Sequence, residues 1–179
     1  AGPEGRVYCG TMAGNLYVLE TDGSLKTLLQ DVATPNGLGF TPDESQLYFT
    51  ETNAETIWLF DYDFETGELS DRRSFISTLG RAGKPDGMTV DEEGYVWSAR
   101  WNGWCVVRYD PSGSVVDRVE LPARKVSSIA FGGPSYETAY ITTAGGEGNS
   151  DIEGSGAGGL FAVDLDVAGV PEYRSTISI

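Results

Sequence analysis

The chain carries the same short module twice. Pro35-Asn36-Gly37-Leu38-Gly39-Phe40, followed by Pro42-Asp43-Glu44 and Gln46-Leu47-Tyr48-Phe49, is matched by Pro85-Asp86-Gly87-Met88-Thr89-Val90, followed by Asp91-Glu92-Glu93-Gly94 and Tyr95-Val96-Trp97. A repeat of roughly 40–50 residues built from short strands and turns specifies a propeller or another modular β array rather than one continuous sheet. Asn36 takes the place of Asp86 in this alignment. An amide oxygen and a carboxylate at matching positions of neighbouring repeats would converge on a shared axis, the geometry of a hard-cation site.

Alternating apolar residues predict strands near 6–11, 15–20, 36–41, 46–51, 56–62, 86–91, 95–100, 104–109, 114–120, 127–131, 137–143 and 159–165. Turn residues stand between them at Thr21-Asp22-Gly23, Glu65-Thr66-Gly67, Glu93-Gly94 and Pro111-Ser112-Gly113, and no amphipathic helix is predicted. Arg6-Val7-Tyr8, Gln46-Leu47-Tyr48, Tyr95-Val96-Trp97 and Thr138-Ala139-Tyr140 align as the end of each inner strand pair. Segments 16–19, 57–61, 106–110 and 160–164 align as outer strands. The expectation is an all-β chain forming one partial propeller domain, residues 1–179, of about three to four blades. An open set of blades leaves strand edges unpaired, so further residues or self-association of copies would have to cover them. The glycine-rich run 145–159 reads as a mobile surface loop or as a lid over a ligand.

The 179 residues include no His, which removes Ser-His-Asp and Cys-His catalysis, His-ligated zinc and imidazole proton shuttling. Hydrolysis would then use carboxylates, a metal, or both. Carboxylates and amides select calcium, magnesium or manganese, with oxygen-held zinc as the borderline case. A net charge of -15, from 27 acidic and 12 basic residues, repels polyanions and excludes nucleic acid as a partner. Lys26, Lys84 and Lys125 are the only lysines; such a surface suits a salt-rich cytoplasm as well as an ordinary acidic protein. No apolar run of about 18 residues predicts a membrane span, and no secretory signal is present. Cys9 and Cys105 read as buried, inert thiols of a reducing compartment, so a cytoplasmic location is expected. The opening Ala1-Gly2-Pro3 lacks an initiator Met, as in a mature, trimmed or partial sequence.

Asn-Gly and Asp-Gly are common turn dipeptides, and either one alone would be read as turn-making. Two in register, both after Pro, favour ligands instead. The stretches 35–43, 60–73 and 85–94, Trp101-Asn102-Gly103, the strand with Arg108, and Phe131-Gly132-Gly133 resemble the regucalcin, senescence marker protein and gluconolactonase family across nearly the whole chain. That resemblance implies a six-bladed β-propeller that binds a divalent cation on its axis and hydrolyses sugar lactones. By the same resemblance Asn36 and Asp86 fall on metal ligands, calcium foremost, with zinc, manganese or magnesium as alternatives, and Asp86 matches the catalytic base. The family's other protein ligands, a Glu in the first blade and an Asn preceding the segment that resembles 5–12, have no counterpart, so the chain reads as the latter three-fifths of a member. Two protein ligands leave calcium mostly hydrated and weakly bound. The bound cation would polarise the lactone carbonyl and acidify a water that Asp86 orients. The rival reading is a non-catalytic calcium- or partner-binding propeller.

Further candidates follow from the presumed axis. Trp101 and Asn102 could border the sugar or serve packing and turn formation. Ser128 and Thr11, taken as equivalent inner-strand positions, could hydrogen-bond substrate. Arg100 could meet a ring hydroxyl or an anionic product, or form a surface ion pair.

Overall fold

The computed structural model describes residues 1–146 and 148–178; Glu147, within the glycine-rich run, lies outside them. The described chain is all-β, in four antiparallel sheets that follow one another along the sequence. The first holds β1 (Val7–Gly10), β2 (Leu16–Leu19) and β3 (Leu25–Leu29). The second holds β4 (Pro35–Phe40), β5 (Gln46–Glu51), β6 (Thr56–Tyr62) and β7 (Leu69–Ser77), and the third β8 (Lys84–Val90), β9 (Val96–Trp101), β10 (Cys105–Tyr109) and β11 (Val115–Glu120). The fourth holds β12 (Lys125–Gly132), β13 (Thr138–Ala144) and β14 (Leu160–Asp164), with a one-turn helix α1 (Ser150–Glu153) between the last two.

Four sequence expectations are corrected. Strands β3 and β7 are unpredicted, because as outermost strands they are largely solvent-exposed and lack the apolar alternation of a half-buried strand. Segments 57–61 and 106–110 are therefore third strands, with β7 and β11 outside them. The glycine-rich run holds α1, whose Asn149 cap accepts a hydrogen bond from the Asp151 backbone and whose Glu153 is buried. Cys105 is buried, but Cys9 is exposed, because β1 lies at the edge of its sheet with only β2 beside it.

Apolar residues on both faces of the middle strands explain the stacking. Along β10, Cys105, Val107 and Tyr109 face a layer shared with Tyr48, Ile57 and Ile76 of the second sheet. Val106, between them, faces the layer formed with Val126, Ile129 and Ile141 of the fourth. In the second sheet Tyr48 and Ile57 face the third sheet, while Phe49 and Phe60 face Leu16 of the first. Period-two alternation thus feeds two cores from one strand.

Glycine lets the first strands of the sheets approach closely. A Cβ on Gly37 would lie 2.5 Å from the Met88 nitrogen, and one on Gly87 would lie 2.4 Å from Ser128 Oγ and 2.8 Å from the Ser127 carbonyl. Neither glycine takes a positive φ. These glycines are therefore not turn formers; they are strand residues with no room for a side chain. Gly37→Ala is expected to push β4 away from β8 and cost about 1–3 kcal/mol, measured by urea denaturation.

At the opposite end of β8, Asp91 is fully buried. It accepts hydrogen bonds from Trp97 Nε1 at 2.8 Å, Arg108 Nε at 2.8 Å and the Tyr95 backbone at 2.9 Å. Arg108 stacks 4.4 Å over Tyr95 and also pairs with Glu93. Residues 168–178 cross this end of the array, bonding Glu92, packing Tyr173 on Phe40, and reaching Gly5 and Thr21.

Candidate functional site

The first strands of the second, third and fourth sheets each carry an irregularity at the same place: between Pro35 and Leu38, between Pro85 and Met88, and between Val126 and Ser128. Such a bulge bends the strand and re-aims the side chains within it. The residues so displaced are Asn36, Asp86 and Ser127. Ser127, rather than Ser128, is the repeat counterpart of the two candidate ligands; its Oγ lies 2.9 Å from Thr142 Oγ1. Ser128 packs against Gly87. Thr11 follows β1, whose alignment with β5 makes it a second strand, so Thr11 and Ser128 are not equivalent positions.

A cavity of about 410 Å³ opens where these strands begin, lined by Met12, Thr34, Asn36, Thr52, Asn53, Lys84, Asp86, Trp101 and Asn102. The structure thus brings Asn36, Asp86, Trp101 and Asn102 together and leaves Thr11, Ser128 and Arg100 out of the lining. The repeat explains which residues enter. With Tyr8, Tyr48 and Trp97 aligned, Met12, Thr52 and Trp101 are one position and Asn53 and Asn102 another; with Asn36 and Asp86 aligned, Thr34 and Lys84 are a third. Met12, Thr34, Thr52, Asn53 and Lys84 went unnoticed in the sequence, although the alignment that pairs Asn36 with Asp86 also pairs Asn53 with Asn102.

The position one residue earlier has a different role. Thr11, Glu51, Arg100 and Thr143 align there. Glu51 accepts from the Ala33 nitrogen at 2.6 Å, Arg100 donates to the Gly83 carbonyl at 2.6 Å, and Thr143 donates to the Gly159 carbonyl at 3.0 Å. Each ties its strand end to a neighbouring loop. Thr11 Oγ1 closes its own turn on the Asn15 carbonyl. Arg100 is 1% exposed and forms no ion pair among the described residues.

Inside the cavity Asp86 is 9% exposed and pairs with no Lys or Arg among the described residues. Burial raises its carboxyl to about 6, against the opposing effect of hydrogen bonds from the Asn36 amide and the Gly87 backbone. Lys84 Nζ donates to Asn53 Oδ1 at 3.1 Å, and Asn53 Nδ2 donates to Thr34 Oγ1 at 2.7 Å, so the rim is hydrogen-bonded before any ligand arrives. Thr34, a β-branched residue, holds φ at 67° immediately before Pro35, an uncommon conformation fixed by bonds from the Thr34 nitrogen to Val32 and from the Thr52 nitrogen to Thr34. Asn102 also takes a positive φ, which Asn tolerates in a turn.

The donor set fits a hard cation in part. A desolvated carboxylate lies beside an amide, and Thr52 Oγ1 is buried in the wall with no hydrogen-bond partner among the described residues. Among the described residues no three His, Cys, Asp or Glu side chains form a metal-binding group, so Asp86 and Asn36 would be the protein's contribution and other oxygens would complete the shell.

Residues 1–145 match the family model described as SMP-30/Gluconolactonase/LRE-like region. Pentonolactonase XacC of Haloferax volcanii is 46% identical over 190 residues, covering all of this chain and 65% of the relative. Regucalcin of Oryctolagus cuniculus is 37% identical over 187 residues, covering 96% of this chain and 62% of the relative. The crystal structure of a calcium-binding protein, regucalcin, from Agrobacterium tumefaciens superposes with a TM-score of 0.90 at 29% identity, covering 99% of this chain and 63% of that one. The chain spans less than two thirds of the length of each. No helix among the described residues is long and apolar enough to cross a membrane.

Proposed function

From the premise that this chain belongs to the SMP-30/gluconolactonase/LRE-like family, we propose that it works as a divalent-cation-dependent lactonase, opening a sugar lactone to the aldonic acid. We read its four sheets as part of a six-bladed propeller, with the cavity at Asn36 and Asp86 on the axis. The observation that carries the reading is the buried carboxylate of Asp86, unpaired with Lys or Arg among the described residues, beside the Asn36 amide in one cavity.

A cation such as calcium, manganese or zinc, held by Asp86 and Asn36, would supply Lewis acidity toward the lactone carbonyl. Asp86 orients the attacking water and takes its proton, a role that needs a carboxylate held within hydrogen-bond reach of the water. The Asn36 amide and the Gly87 nitrogen favour the charged form of that carboxylate. Trp101 offers an apolar wall to a sugar ring, Asn53 and Asn102 offer amides to its hydroxyls, and Lys84 places positive charge where the carboxylate product forms.

Proton release from an aldonolactone, followed with added calcium, manganese or zinc, tests the reading. Activity should depend on the cation and disappear with a chelator; hydrolysis indifferent to the chelator would reject it. The second reading is a non-catalytic calcium- or partner-binding propeller, favoured by the incomplete set of protein ligands. Tight calcium binding with lactones left intact would decide for it.

A further inference from the structure

Away from that cavity, Arg100 is a charge without a countercharge. It is 1% exposed, its Nε has no hydrogen-bond partner, and no carboxylate pairs with it among the described residues. Its other nitrogens reach only neutral groups: Nη1 donates to Tyr109 Oη at 3.2 Å, and Nη2 to the carbonyls of Ala82 at 3.3 Å and Gly83 at 2.6 Å. Burial of a guanidinium without an anion is unfavourable, which lowers its pKa. Two more arginines stand close: Arg81 and Arg118 share with Arg100 the lining of a cavity of about 110 Å³ between the second and third sheets. That space exceeds the roughly 30 Å³ of a water molecule in the liquid.

The preceding repeat shows how the same position is satisfied when its charge is reversed. There Glu51 stands where Arg100 stands, and it receives Trp58 Nε1 at 2.7 Å and Arg72 Nη2 at 2.6 Å. The register pairs Trp58 with Phe49 and Val107 with Ser98, so Val107 is the counterpart of Trp58. Replacing an indole by an isopropyl group empties the volume beside Arg100. Ala82, Cys105, Val107, Tyr109 and Val115 provide the rest of the wall, with no acidic side chain in it among the described residues.

We propose that this cavity is a binding site for a small inorganic anion, halide or oxyanion, held by Arg100 Nε and by the guanidinium group of Arg81, with Arg118 in the wall. Arg118 also pairs with Glu120 at the surface, leaving Arg81 and Arg100 as the charges available to it. The anion would neutralise the inter-sheet layer that holds the β7–β8 loop and would act as a structural ligand distinct from the lactone cavity.

The test is thermal unfolding of the protein in sodium chloride, bromide, phosphate or sulfate at one ionic strength, balanced with a bulky sulfonate anion. At tenfold Kd the effective anion should raise Tm by roughly 3–5 °C. Comparison of the four salts separates a halide site from an oxyanion site. Exposed Arg81→Gln should weaken the gain several-fold without unfolding the protein, and Val107→Trp, which restores the side chain of the preceding repeat, should remove it. Crystals soaked in the anion that gives the largest gain should show its density beside Arg100 Nε, anomalous if that anion is bromide. The proposal is overturned by absent density, by density with no effect in solution, by a Tm gain that both variants retain, or by a carboxylate found bonded to Arg100.

Discussion

Asp86→Asn is expected to lower kcat/KM for lactone hydrolysis by about 10²–10⁴-fold, the loss associated with removing a positioned proton acceptor. The substitution should at the same time stabilise the cation-free protein. Burial raises the Asp86 carboxyl to about 6 from its ordinary value near 3.8, so the folded state keeps this proton to higher pH than the unfolded chain does. Between about pH 4 and 6 the unfolded state ionises first, and the folded state loses stability across that window. Asn cannot ionise, so the variant should gain on the order of 2–3 kcal/mol at pH 7 in the presence of a chelator. Urea denaturation from pH 4 to 8 measures it. Equal stability of both proteins at every pH, or retained activity in the variant, would remove Asp86 from the site.

Asp91→Ala should have the largest effect on stability, a loss of about 3–5 kcal/mol. Asp91 is fully buried and accepts from Arg108, Trp97 and the Tyr95 backbone together, so its removal strands a guanidinium and an indole N–H inside the third sheet. Arg108 is held with its pKa raised, burial being outweighed by its bonds to Asp91 and Glu93. Denaturant midpoints of the two proteins give the answer, and lactone turnover at low temperature separates lost stability from lost chemistry. A change below 1 kcal/mol would show that Glu93 alone suffices to hold Arg108.

The repeat was legible because its strands are half-buried or fully buried, and burial writes an apolar pattern. Strands β5, β6 and β9 contain Leu47, Tyr48, Phe49, Ile57, Phe60, Val96 and Trp97, and all of these are buried. Strand β7, Leu-Ser-Asp-Arg-Arg-Ser-Phe-Ile-Ser, meets solvent along most of its length and carries charges instead. It is held by backbone bonds to β6, which any residue except Pro can make. Side-chain identity therefore says little about such a strand.

The glycines after Asn36 and Asp86 illustrate a different gap. A turn is the ordinary reading of Asn-Gly or Asp-Gly, because the dipeptide is defined by local conformation. Here the requirement is distance: the backbone of the next sheet occupies the place of the missing Cβ. Nothing within a single strand reports how close another sheet will come.

Residue types and their spacing alone identified a modular β fold, two oxygen donors in register and the absence of imidazole chemistry, since each of these depends only on order along the chain. Tertiary structure decided which neighbour of each motif enters the cavity. A side chain changes face with every residue of a strand, so Trp101 lines the site while Arg100, one bond earlier, is carried into the gap between two sheets.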